Sequence, residues 1–501
     1  MPEMNRRSFL HLSAAAAAAS TPAAQRPNIL FLMTDQQRGD CLGADGHPAV
    51  LTPNLDRIAS EGARFRHAYT STPSCTPARA CLLTGQSPWH HGMLGYSRVA
   101  TEYPHELPRM LRDAGYHTCV IGKNHFYPQR NAHGYEQVLL DESGRSHSAD
   151  FRSDYRAWFW SQAPNLDPDA TGIGWNDCLA GEYALPERLH PTAWTGETAV
   201  RFLESYPGSQ PFFLKVSFAR PHSPYDPPAR YMREFEGADI PRAAVGNWAD
   251  PYRPRSSDRP SLWHGDLGQD QVRHSRQGYY GSIRFIDDQI GRILEALERR
   301  GLADNTLILF VSDHGDMLGD HHHWRKCYAY EASARIPMLM RWPQGLVAAE
   351  RGQVLDEVTE LRDVMPTFLA AAGVSVPESV DGQSLLELVA GKAAGWREFI
   401  DLEHSTCYSP KNNWSALTDG RWKYIFHGLD GREQLFHLES DPGEALDLAG
   451  EPAHSDALRL WRARLVAHFE ERGEPFLRGG RLVPRSEGVL HSPHYPRQQP
   501  A

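Results

Sequence analysis

The sequence contains no apolar run long enough to cross a bilayer as a stable helix, no extended basic segment and no internal repeat. The first absence excludes a spanning helix, the second argues against nucleic acid as a partner, and the third excludes a repeat scaffold. Cysteine is scarce, with seven in 501 residues, at positions 41, 75, 81, 119, 178, 327 and 407. Their spacing matches neither a dense disulfide framework nor a zinc site, and it assigns no pairing. Net positive charge is also lacking, since the formal balance is −10. An acidic chain that handled an anionic ester would have to concentrate its cations in one cleft.

What is present is a large globular chain, 41% hydrophobic with 13 Trp and 37 Pro, long enough for two to four domains. At the N-terminus, Arg6-Arg7, Phe9-Leu10, an alanine run and small residues before Gln25 read as a twin-arginine-type export signal spanning 1–24. This predicts a periplasmic or secreted, not membrane-spanning, protein.

From residue 28 the chain repeats one pattern: an apolar strand, a polar cluster at its C-terminal end, then a helix. The expected strands are 28–33, 117–121, 212–218 and 306–311; the first is a continuous apolar run, as a strand buried on both faces should be. The clusters that follow contain Asp35-Gln36, Lys123 and His125, His222, and Asp313-His314. Ligands of open α/β sheets bind at that edge, so four strands deliver polar groups to one place. Helices are expected near 105–114, 194–204 and 278–300. Two long connections, 126–190 and 223–275, carry Trp158, Trp160, Trp175, Tyr225, Trp248 and Trp263 and read as pocket walls. After about residue 390 the rhythm becomes antiparallel, with strands in 414–426 and 433–438 around a turn at Asp430-Gly431, then a helix near 455–472.

The stretch Ser74–Gly85, SCTPARACLLTG, carries the most specific signal. Pro77 suits a first helical turn, which puts Cys75 at a helix N-terminus where anions are favoured and a thiol pKa falls. Arg79 lies one turn further on the same face. Cys75, Pro77, Arg79, Thr84 and Gly85 together resemble the signature of the type I sulfatases of the alkaline phosphatase superfamily, and the resemblance extends over roughly residues 26–470, including Asp441–Glu444 of the C-terminal part.

The resemblance implies an α/β fold with a large mixed, mostly parallel sheet flanked by helices, divided into a catalytic domain (25–390), a C-terminal α+β subdomain with an antiparallel sheet (391–480) and a tail (481–501). It implies a sulfuric ester hydrolase whose Cys75 is oxidised by a formylglycine-generating enzyme, so that a hydrated aldehyde attacks sulfur. Asp35, Gln36, Asp313, His314 and residue 75 would hold a divalent cation, calcium first and manganese as the alternative. Gln36 and His314 depart from the more usual Asp and Asn. Arg79 and Lys123 would balance charge on the nucleophile and the sulfate, with Lys326 adding to Lys123 on the sulfate oxygens. His222, with Lys326, would protonate the leaving alcohol, and His125 would deprotonate the remaining hydroxyl. Arg325 competes with Lys326 for its role, and His321, His322 and His323 are read as loop and pocket lining. The aromatic loops favour a sulfated carbohydrate over another sulfated small molecule. Two alternatives stand: a formylglycine-dependent phosphonate monoester or phosphodiester hydrolase, and a non-catalytic binder of sulfated glycans.

Overall fold

The computed structural model describes residues 26–496 except 143, 144 and 147. The expected export signal lies outside the described residues. Among the described residues, no helix is long and apolar enough to cross a membrane.

The strands in chain order are β1 (Asn28–Asp35), β2 (Ala63–Phe65), β3 (Ala68–Tyr69), β4 (His117–Gly122), β5 (Gln137–Leu140), β6 (Phe212–Pro221), β7 (Thr306–Ser312), β8 (Met338–Arg341), β9 (Gln353–Leu355), β10 (Thr359–Glu360), β11 (Ile400–His404), β12 (Trp414–Thr418), β13 (Trp422–His427) and β14 (Glu433–His437), followed by a short antiparallel pair, β15 (Leu477–Arg478) and β16 (Arg481–Leu482). The main sheet has the order β5-β4-β6-β1-β7-β8-β2-β9. Its pairs are parallel except β7–β8 and β8–β2, so the expected mixed, mostly parallel sheet is observed. A small pair, β3–β10, lies beside it.

Seven helices matter for the site: α1 (Pro53–Ser60), α2 (Cys75–Thr84), α3 (Leu107–Asp113), α4 (Pro191–Ser205), α5 (Gln269–Arg299), α6 (Val364–Ala371) and α7 (Ser455–His468). Helices cover both faces of the sheet. Ile29, Phe31 and Met33 of β1 pack with Leu83, Leu111 and Phe368 from α2, α3 and α6. Leu30 and Leu32 pack on the other face with Leu55, Leu203, Ile286 and Ile290 from α1, α4 and α5. This two-sided burial is why β1 and β7 read as apolar runs instead of alternating ones, and why β6 does so apart from the buried Lys215 and Ser217.

Helix α5 begins well before the expected position 278. Gly278 and Gly281 are interior to it, and a side chain at either would meet the backbone oxygen of Tyr225 or the ring of Pro227. These glycines permit close packing of the 225–231 segment, so they do not mark a boundary. Helix α7 ends at His468, four residues short of the expected Arg472, as the chain turns at Phe469.

The C-terminal sheet is antiparallel in consecutive order β11-β12-β13-β14, with Trp461 and Leu465 of α7 packed in the same cluster as Leu417 and Leu435. It is pinned to the main domain by the buried Lys423, whose Nζ reaches Glu331 Oε1 (2.7 Å) and Glu444 Oε1 (2.9 Å).

Strand β4 ends at Gly122, where φ is 101° and an added Cβ would lie 2.0 Å from the Ser217 carbonyl oxygen of β6. Gly122→Ala is therefore expected to strain the backbone and push β4 from β6, costing about 3 kcal/mol and displacing Lys123. Urea unfolding alongside turnover checks this; wild-type stability in the variant would contradict it.

Candidate active site

The four strand ends converge as expected. Asp35 closes β1, Lys123 follows β4, His222 follows β6 and Asp313 follows β7, all buried. The β1–β6 register breaks between Met33 and Asp35, and Gln36 continues with φ 71°. Strain of this kind is characteristic of functional edges. Cys75 is the first residue of α2 and is buried.

Arg79 on α2 braces this edge. Its Nε and Nη2 donate to Asp313 Oδ2 (3.1 and 2.9 Å), Nη2 also reaches Asp35 Oδ2 (3.2 Å), and Nη1 donates to the Lys123 carbonyl (2.6 Å) and Ser217 Oγ (3.2 Å). Lys123 Nζ pairs with Asp35 Oδ2 as well. The opposite oxygens face the thiol and imidazole: Asp35 Oδ1 lies 3.9 Å from both Cys75 Sγ and His314 Nε2, and Asp313 Oδ1 lies 3.7 Å from His314 Nε2. Ligand atoms of Asp35, Cys75, Asp313 and His314 all fall within 4.8 Å of one another. The His314 Nδ1 donates to the Gly315 carbonyl (2.9 Å), which turns Nε2 toward the cluster as in metal-ligating histidines. Two carboxylate oxygens and an imidazole nitrogen on one buried point fit a divalent cation.

Gln36 is committed to other partners. Its Oε1 accepts from Lys326 Nζ (2.7 Å), and its Nε2 donates to Asp316, which in turn accepts from the Tyr225 hydroxyl (2.6 Å). The Gln36 backbone N–H, not its side chain, touches Asp313 Oδ1 (3.0 Å).

Lysine and not arginine enters the site at 325–326. Lys326 Nζ is 3.4 Å from Cys75 Sγ, whereas Arg325 lies over the Tyr408 ring and donates to the Ser261 carbonyl. Lys326 sits between two left-handed residues, Arg325 (φ 70°) and Cys327 (φ 79°). Lys123 Nζ is 3.9 Å from Cys75 Sγ. Burial and Asp35 oppose ionisation of Cys75; Lys123, Lys326 and His314 outweigh them and bring the thiol down to about 7. Burial also disfavours charge on Asp35, yet Lys123, His222, Arg79 and Lys326 hold it well below the usual carboxylate range. For Lys326, burial is overcome by the Cys75 sulfur and Asp35, which raise its pKa, so it keeps its proton.

The two histidines are neutral near pH 7. Burial, then Lys326, pushes His222 well below 6.5, and burial, then Arg145 and Lys123, does the same to His125. His222 Nδ1 donates to the Ser223 carbonyl (2.8 Å), and its ring stacks on Trp175 with centroids 4.2 Å apart. His125 is held by its backbone N–H on Glu142 (2.9 Å), its Nε2 meets the Tyr96 hydroxyl (3.1 Å), and its Nδ1 has no hydrogen-bond partner among the described residues.

Sequence reasoning missed Tyr96, Glu142, Ser217 and Asp316, which act by holding other site residues. Of the loop aromatics, Trp248 and Trp263 pack with the Tyr328–Tyr330 cluster, and Trp158 and Trp160 pack with the main core. Trp175 alone among these tryptophans stacks on a site histidine. His321 accepts from the Gly246 N–H through Nδ1 (3.0 Å) and packs on Trp248, a lining role as expected for the histidine run.

The sulfatase family profile matches residues 27–374, and that of the N-sulphoglucosamine sulphohydrolase C-terminal region matches residues 319–471. The chain is similar to an arylsulfatase of Clostridium perfringens, 39% identical over 471 residues that cover 91% of this chain and 97% of that protein. It is also similar to an N-acetylglucosamine-6-O-sulfatase of Bacteroides thetaiotaomicron, 26% identical over 86% of this chain and 84% of the other. Among solved structures, a phosphonate monoester hydrolase from Silicibacter pomeroyi superposes with a TM-score of 0.74 at 26% identity, covering 90% of this chain and 96% of that one. With the buried cation-lined edge and the Cys75 helix already in place, these matches establish that the chain belongs to the sulfatase family of the alkaline phosphatase superfamily and is a sulfatase, a hydrolase of sulfate esters.

Proposed function

We propose that this sulfatase cleaves the sulfate ester of a carbohydrate through a formylglycine made from Cys75, with a divalent cation held by Asp35, Asp313, His314 and residue 75. The observation that carries the reading is the convergence of Lys123, Lys326 and the two Arg79-braced carboxylates on Cys75 in one buried pocket. The similarity to an N-acetylglucosamine-6-O-sulfatase supports a sugar substrate, as does the half-buried Trp175 beside His222, a flat apolar face next to the leaving group. Formylglycine supplies a hydrated aldehyde, a nucleophile that a thiol cannot provide, and requires a maturation enzyme as partner. The cation supplies Lewis acidity toward sulfate oxygens; the carboxylates suit calcium, and the His314 nitrogen admits manganese. The N-terminal arginine pair supports export to the periplasm or beyond.

The protein's own residues divide the remaining work. Lys123 and Lys326 place positive charge around the sulfate oxygens in a dry pocket, where such charge acts strongly. Arg79 keeps Asp35 and Asp313 in place and leaves their Oδ1 atoms facing inward. Lys326 Nζ is the standing proton donor toward the leaving oxygen, because it is charged while His222 is neutral before substrate binds. His222 shares that proton, its Nδ1–H on Ser223 leaving Nε2 as the acceptor. His125 accepts the proton that releases sulfate, at its Nδ1, which has no hydrogen-bond partner among the described residues.

Lys326→Ala is expected to cut turnover of alkyl or sugar sulfates about 100- to 10,000-fold and that of an activated aryl sulfate far less, since a good leaving group needs no proton. Equal losses on both substrates would reject the donor role. Because burial lowers the pKa of His125 below 6.5, the neutral base survives mild acid. Sulfate release follows departure of the alcohol, so the acid limb of kcat, measured where release limits turnover, should fall below pH 6.5, and a limb above it would contradict the assignment.

A second reading is favoured by two observations, the Gln36 and His314 substitutions and the likeness to a phosphonate monoester hydrolase. Rates on a sugar sulfate, an aryl sulfate and a phenyl phosphonate ester separate the two. Faster sulfate turnover is expected, and dominant phosphonate turnover would replace the first reading.

A further inference from the structure

Cys327 and Cys407 lie outside the chemistry above. Their sulfurs are 2.8 Å apart, and His404 joins them, with the three ligand atoms within 4.8 Å of one another. None of the other four cysteines besides Cys75 has a hydrogen-bond or ion-cluster contact with another cysteine among the described residues; Cys41, Cys81, Cys119 and Cys178 are each buried separately.

Two chemistries could use such a group, a soft metal or a disulfide. Two thiolates on one tetrahedral zinc sit about 3.8 Å apart at ordinary zinc–sulfur lengths, wider than this pair. The imidazole is also engaged: His404 Nδ1 donates to the Ser405 carbonyl and Nε2 meets the Ser74 hydroxyl (2.9 Å). Both ring nitrogens already have oxygen partners, so an ion would have to displace the Ser74 hydroxyl. The sulfurs are already closer than two unbonded sulfurs pack, so little movement is needed for covalent closure.

We propose that Cys327 and Cys407 form a disulfide that clamps the loop aiming Lys326. Cys407, the half-buried member, attacks the disulfide of an external oxidant, a protein dithiol–disulfide carrier or oxidised glutathione, giving a mixed disulfide and one released thiolate. The Cys327 thiolate then displaces the second oxidant sulfur from Cys407. Two electrons pass to the oxidant, which ends as two thiols, and the two protein thiol protons leave with them or to solvent.

The clamp falls where the backbone is strained. Cys327 has φ 79°, its N–H donates to the Pro73 carbonyl (2.9 Å) and its carbonyl accepts from Trp414 Nε1 (2.9 Å). Pro73 lies in the turn that opens α2, and Trp414 starts β12. The cross-link joins this node to the segment after β11, whose Tyr408 ring covers Arg325. Lys326 is thereby held between two fixed neighbours while its Nζ faces Cys75. The disulfide is independent of the fate of Cys75 and of the substrate.

The test is mass spectrometry of protein made in an oxidising compartment, alkylated with N-ethylmaleimide in denaturant and digested with trypsin without reduction. A species joining peptides 327–335 and 398–411, two hydrogens lighter than their sum, is expected and disappears on reduction. N-ethylmaleimide on both cysteines would overturn the proposal, and so would bound zinc at one equivalent whose removal exposes both thiols. Thermal melting with and without reductant tests the clamp: the wild type is expected to lose melting temperature on reduction, while Cys407→Ser starts at the lower value and does not respond. Equal melting of all four samples would overturn the clamp.

Discussion

The arrangement depends on one buried arginine. Arg79 takes an Oδ2 from each of Asp35 and Asp313, which arrive on neighbouring parallel strands, and closes the ring on the Lys123 carbonyl of a third strand and Ser217 of a fourth. Two carboxylates that close would repel one another and resist burial without a cation between them. With the outer oxygens satisfied, the inner pair faces Cys75 and His314. A guanidinium is suited to this because its planar fork donates in several directions and does not lose its charge. Removing one partner from such a buried set leaves a charge uncompensated, which typically costs about 3–5 kcal/mol.

The C-terminal subdomain is part of the same construction. Strand β11 brings the Glu403 N–H to the Ser71 carbonyl (2.8 Å) and His404 to the hydroxyl of Ser74, the residue that precedes Cys75. Lys423 secures the loop after Lys326 through Glu331. The tail returns as well, with the Leu94 N–H on the Leu490 carbonyl (3.0 Å). The Cys75 helix is thus tied to the sheet through Arg79 and held from the side by β11, so the antiparallel subdomain contributes to positioning and is not an appendage.

Much of this was legible in the chain. Asp35, Lys123, His222 and Asp313 each follow an apolar run of strand length, and parallel topology then forces them to one edge. Cys75 and Arg79 were legible because helical spacing places them on one face. The Gln36 side chain was not, because its direction depends on Asp316 and Lys326, which are 280 and 290 positions away. Tyr96, Glu142 and Ser217 left no local signal, since they act through contacts made only after folding. Helix α5 was read short because Gly278 looks like a boundary in sequence, and only the packed Tyr225 segment reveals it as a close approach.

The most direct measurement is the mass of the tryptic peptide from His67 to Arg79 in protein made with a formylglycine-generating system, taken together with sulfate release by the same sample. The account predicts an aldehyde or its hydrate at position 75, with activity proportional to the converted fraction. An intact Cys75 thiol, with a control sulfatase converted in the same cells, would contradict it and favour a binder of sulfated glycans.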